Sequence, residues 1–152
     1  MLRRKTVTGL AALRKKLSRN RRSVRRNRHH AVLDFVFEEG LFFIEIINTQ
    51  DHPLFDVQIG FDKKITGVYG TKVISRLPLF RHNPFLAPRK VIRTFLDSSH
   101  SYFQRREPTL IRVGILYKDA DKKVFFDEIV HDLSIYREIG CIKARPAGRS
   151  TP

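Results

Sequence analysis

The chain has 152 residues, a net charge of +15 and a single cysteine, Cys141. The length suits one domain with its own core. One cysteine excludes an intrachain disulfide framework or a cysteine-based zinc site and fits a reducing compartment, which makes the cytoplasm the expected location. No apolar run approaches the roughly 18 residues that cross a membrane as a helix.

The charge is unevenly spread. Of the 30 cations, 12 lie before residue 29, and no Asp or Glu accompanies them. The rest of the chain is close to balanced. Three parts follow: a basic N-terminal extension at 1–29, a β domain at 30–142 and a polar tail at 143–152 with two prolines, expected to be disordered.

In chain order, Thr8 or Thr6 can cap a short helix in which Leu10, Leu13 and Leu17 fall on one face. Such a helix is marginal alone, and repulsion between its cations weakens it further. The extension is therefore read as a flexible arm, largely disordered or short-helical, with no core position. Arg14, Lys15, Lys16, Arg19, Arg21, Arg22, Arg25, Arg26 and Arg28 are its candidate polyanion contacts: charge that can release counterions from phosphates, without the groups that read base edges. An organellar transit peptide, attachment to an anionic membrane surface and a solvated extension without a role are the other readings.

From His30 the pattern becomes that of strands. AVLDFVF places Leu33, Phe35 and Phe37 on one face. Glu38-Glu39-Gly40 reads as a turn, and LFFIEIINT as the next strand. In LFDVQIGFDKK, Phe55, Val57, Ile59 and Phe61 point inward and Asp56, Gln58 and Gly60 outward. Val73–Leu77 reads as a short edge strand. Pro78, Pro84 and Pro88 argue against both helix and central strand around them. KVIRTFL at 90–96 is a strand, and Asp97–His100 a turn leading to a capped helical turn with Tyr102 and Phe103. LIRVGILYK places Ile111, Val113, Ile115 and Tyr117 inward; DADKK turns the chain back into KVFFDEIVHDL. SIYREIG adds a C-terminal helical turn. About seven strands with turns between them predict an all-β, Ig-like antiparallel sandwich. The cysteine pair and tryptophan of a true Ig core are absent.

FDVQIGFD, then FLAPRKVIRTFLDSS, then IRVGILYKD, then HDLSIYREIG resembles a family of small, uncharacterised bacterial and phage β-sandwich domains. In these a strand is followed by an FLAP-type entry to the next, a hairpin, and a closing HDLxxY. The resemblance spans roughly residues 33–142. It implies an Ig-like fold and neither cofactor nor catalytic residue. Arg89 stands where that family usually has glycine after the proline, and Lys122-Lys123 replaces a hairpin glycine.

The remaining motifs weigh toward structural roles. His29, His30, His52, His82, His100 and His131 show no paired ligand spacing. Asp119 and Asp121 begin like a calcium loop, but Val124 and Val130 fill the glycine and glutamate positions. The serines of LDSSHSYF beside His100 lack an orienting acid. The expected function is a non-catalytic interaction module, without cofactor or metal, that binds a protein partner through its loops or an edge strand. The alternative is a nucleic-acid-associated protein that binds phosphates through residues 1–29.

Overall fold

The computed structural model describes residues 8–19 and 24–139. Its elements run helix α1 (Gly9–Ser18), β1 (Arg25–Arg26), β2 (Ala31–Glu38), β3 (Leu41–Asn48), β4 (Leu54–Phe61), β5 (Thr66–Gly67), β6 (Lys72–Val73), a 3-10 turn Ile74–Arg76, α2 (Pro78–Arg81), β7 (Asn83–Leu86), β8 (Val91–Ser98), α3 (Ser99–Gln104), β9 (Leu110–Lys118), β10 (Val124–Asp132) and a 3-10 turn Leu133–Tyr136. The protein is mostly β. One sheet has the order β1-β10-β9-β4-β7, a second β2-β3-β8, and β5 and β6 form a small third. All pairs are antiparallel except β1 with β10. Among the described residues no helix is long and apolar enough to cross a membrane.

The inward positions of both large sheets meet in one core. Leu33 and Phe35 of β2, Ile44 and Ile46 of β3, Val57 and Phe61 of β4 and the β9 row Ile111, Val113, Ile115 and Tyr117 all belong to it. Alternation produces this directly, because every second side chain of a strand leaves the same face. Glu39 and Gly40 both take positive φ (50° and 80°), as a tight hairpin turn between β2 and β3 requires.

Several local expectations are corrected. Phe55 does not point into the core: Asp56 has φ 51° and the β4–β9 register shifts between Phe55 and Gln58, so a bulge re-aims Phe55 toward Phe85 on β7. Val73–Leu77 is the end of β6 followed by a 3-10 turn rather than a strand. Pro78 starts α2 instead of forbidding it, since a first-turn proline has no helical N–H to lose. Pro84 lies in β7, an edge strand where a missing donor is tolerated.

The largest correction concerns the N-terminal extension. Its described part is folded. Thr8 caps α1 by accepting a hydrogen bond from the Ala11 N–H at 3.2 Å. Leu10, Leu13 and Leu17 are buried in a second cluster with Phe126, against which Val24 and Leu116 also pack. The helix lies on the outer face of the five-stranded sheet, across β4 and β9. Two glycines paired across those strands, Gly60 and Gly114, make room for it. A Cβ on Gly60 would fall 2.4 Å from the Gly9 carbonyl carbon, and one on Gly114 2.4 Å from Leu10 Cδ1. Burial of three leucines is what a marginal helix needs to persist.

Candidate functional site

The docking of α1 fixes where the candidate polyanion contacts sit. Arg14 is committed to an ion pair: its Nε and Nη2 donate to the two carboxylate oxygens of Glu128 at 2.7 and 2.9 Å. This bidentate contact holds the Glu128 carboxyl below its ordinary range. Lys16 donates to Gln58 Oε1 at 2.6 Å. The Arg26 guanidinium lies over the Phe126 ring, 5.8 Å from its centre. Lys15, Arg19, Arg25 and Arg28 are exposed and make no ion pair among the described residues. Arg21 and Arg22 lie outside the described residues.

The expected flexible arm is thus corrected to a fixed basic surface in its described part. A buried carboxylate secures its second half. Asp127, fully buried, accepts the Arg28 and His29 backbone N–H groups at 2.9 and 3.0 Å and the Tyr117 hydroxyl at 2.6 Å. Tyr117 Oη in turn accepts the His30 N–H. Burial, then the Asp127 hydrogen bond and charge, push the Tyr117 hydroxyl well above its ordinary pKa. The sequence carries a trace of this, an acid at an inward position between Phe125 and Ile129, but nothing in it names the backbone groups that Asp127 receives.

The opposite sheet leaves a different surface. On the outer face of β2-β3-β8 the register sets three rows: Val32, Ile47 and Val91; Asp34, Glu45 and Arg93; Val36, Phe43 and Phe95. A charged row runs between two apolar ones. Arg93 bonds Glu45 and Glu38 and covers the Phe43 ring at 4.9 Å.

Edges differ as well. The five-stranded sheet ends in β1, two residues long, and β7, four residues long. The three-stranded sheet ends in two eight-residue strands. On β2, Leu33 O accepts a hydrogen bond from His131 Nε2 at 3.0 Å, so a side chain of β10 blocks the middle of that edge. On β8 the Val68 N–H bonds Leu96 O at 2.7 Å, which closes the far end. Between these limits no backbone group outside the β3 ladder bonds Val91–Phe95 among the described residues, and Val91 is 47% exposed.

Several of the side chains weighed for chemistry have structural partners, whereas the buried His30 Nδ1 has none among the described residues. Ser98 caps α3 by accepting from the Ser101 N–H. Asp119 accepts the Asp121 and Lys123 N–H groups and so shapes the hairpin turn. Asp132 caps the turn after β10. His131 is tied to β2 and packs on Phe35. Among the described residues no three His, Cys, Asp or Glu side chains converge as metal ligands would. Arg89, at the position expected to be glycine, has φ 58°, and its N–H, Nε and Nη1 bond Gln50 O, Asp51 Oδ1 and Thr49 O. Lys122, in the hairpin, also has positive φ, 60°. Glycine would take both conformations without strain.

Two antiparallel sheets around one core, with a helix laid on one outer face, define a β-rich domain whose N-terminal segment is part of the fold. The chain belongs to the family described as a domain of unknown function, DUF8453, which matches residues 5–137 and so takes in α1 and β1. Comparison with curated proteins and with solved structures returned no match.

Proposed function

We propose that this chain is a non-catalytic interaction module of Ig-like architecture that binds a protein partner by strand addition along β8. The strand order supports the architecture. Taking β2, β3, β4, β7, β8, β9 and β10 as seven consecutive strands, the first, second and fifth form one sheet. The sixth, seventh, third and fourth share the other. An Ig constant-type arrangement differs in placing its fourth strand beside the fifth. The single observation that carries the binding mode is the open edge at Val91–Phe95. Unpaired edge groups are a template for an incoming strand unless they are blocked, and the other three edges are short or plugged. The single cysteine suits the cytoplasm as its compartment.

Amide hydrogen exchange tests this. Partner binding should slow exchange in residues 91–95, and a Val91→Lys, Arg93→Pro variant, whose proline removes an N–H that faces away from β3, should lose the partner. Unchanged exchange at 91–95 in the bound state would overturn the assignment.

A second reading, contact with nucleic acid through the basic face of α1 and β1, is favoured by Lys15, Arg19, Arg25 and Arg28, held on a fixed scaffold without carboxylate partners among the described residues. Changing all four to Gln should flatten the salt dependence of duplex DNA retention by up to about 0.9 log units per lost phosphate contact. Equal retention of both proteins across a salt series would eliminate this reading.

A further inference from the structure

We infer that a cavity of about 350 Å³ at the start of α1 binds a phosphate-bearing small molecule. Four cations from three chain segments line it. Lys63 and Lys64 follow β4, Arg76 closes the 3-10 turn, and Arg81 ends α2. No Asp or Glu is among the lining residues.

Arg14, Arg89, Arg93 and Arg105 each hold a carboxylate. Lys64, Arg76 and Arg81 make no ion pair among the described residues. Lys63 donates only to a backbone oxygen, Leu110 O, at 2.6 Å. Like charges gathered around one hollow repel, and an anion within it removes that repulsion.

The uncharged lining fits the same ligand class. Thr8 and Ser75 border the cavity, and each uses its oxygen to accept a backbone N–H, from Ala11 and Ile65 respectively. Their hydroxyl hydrogens remain to be donated to phosphate oxygens. Phe61 and Phe80, packed edge to face at 5.1 Å, form an apolar floor with Ile59. The volume falls within the roughly 300–1,000 Å³ of small-molecule sites, which pair an apolar lining with a few placed polar groups. A phosphate on the cations with an apolar body on the floor uses both halves. This site is separate from the β8 edge and from the basic face near the end of α1, so it neither requires nor supports the readings above.

Titration of the full chain with inorganic pyrophosphate, followed by the 1H–15N spectrum, tests the assignment. Saturable shifts should cluster at Gly9, Lys64, Ser75 and Arg81. An Arg76→Gln, Arg81→Gln variant should weaken binding by at least roughly tenfold, through loss of two charge-assisted contacts. Lys64→Gln gives a second, independent reading of the same loss. Lys15→Gln, Arg19→Gln, near the other end of a helix about 15 Å long, should leave the affinity unchanged. Three results would overturn the proposal: no saturable shift, shifts spread equally over Lys15, Arg19 and Arg25, or a Lys15→Gln, Arg19→Gln loss as large as that at the pocket.

Discussion

The two sheets meet the same core on their inner faces and treat their outer faces in opposite ways. The five-stranded sheet carries glycine at Gly60 and Gly114 and apolar groups at Leu116 and Phe126, and α1 covers them. The three-stranded sheet fills the equivalent positions with large side chains, and among the described residues no helix packs there. Removing side chains from a sheet lets a backbone approach and supports a permanent cover. Retaining them, with Arg93 and its carboxylates threaded between apolar rows, lets the surface meet water unaided.

Deleting residues 1–19 should break this contrast most severely. It exposes Phe126 and Leu116 and removes three buried leucines, each worth about 2–5 kcal/mol on truncation. The melting temperature should fall by at least roughly 10 °C. A drop of only a degree or two would show that the helix is not needed to cover that sheet. Gly60→Val should come next, at about 3 kcal/mol, because its new Cβ meets the Gly9 backbone rather than a movable side chain. Val91→Thr on the bare sheet should stay within roughly 0.5 kcal/mol, with both substitutions read by urea titration.

Acid probes the seam between the sheets. His131 spans it, and burial lowers its pKa below 6.5; burial followed by the nearby His52 lowers that of His30. Both groups are held neutral in the fold, so the unfolded chain binds more protons as pH falls. Stability is fully present above pH 6.5 and declines as pH drops from there toward the folded pKa values. The urea midpoint should fall between about pH 7.5 and about pH 5.5, and His131→Gln should shrink that fall. Arg14→Ala and Arg93→Ala should likewise move the urea midpoint little, since both pairs are solvent-exposed. Similar small losses at the two sites would place the strength of α1 docking in its leucines and not in its ion pair.

Much of the β framework was legible in the sequence, because alternation within the strands between Ala31 and Phe61 and from Leu110 to Asp132 leaves few ways to bury Leu33, Ile59 or Val113. The helical face of Leu10, Leu13 and Leu17 was legible too, but its destination was not. Periodicity shows which side of a helix is apolar and not what lies against it. The counterpart was present as glycine and apolar groups at outward strand positions, Gly60, Gly114, Leu116 and Phe126, which a solvent-facing sheet would not need. The bulge at Asp56 and the convergence of Lys64, Arg76 and Arg81 were not readable, since both depend on tertiary register. The open edge of β8 likewise required knowing that β5 turns back onto Leu96.

The order of synthesis gives the α1 seat a further meaning. The helix is made before every strand it rests on, yet its seat is assembled from Gly60, Gly114 and Phe126. That seat does not exist until the chain has been extended past residue 126. Until then Leu10, Leu13 and Leu17 have no native surface to enter. The seat of α1 is thus complete only when β10 has joined the sheet.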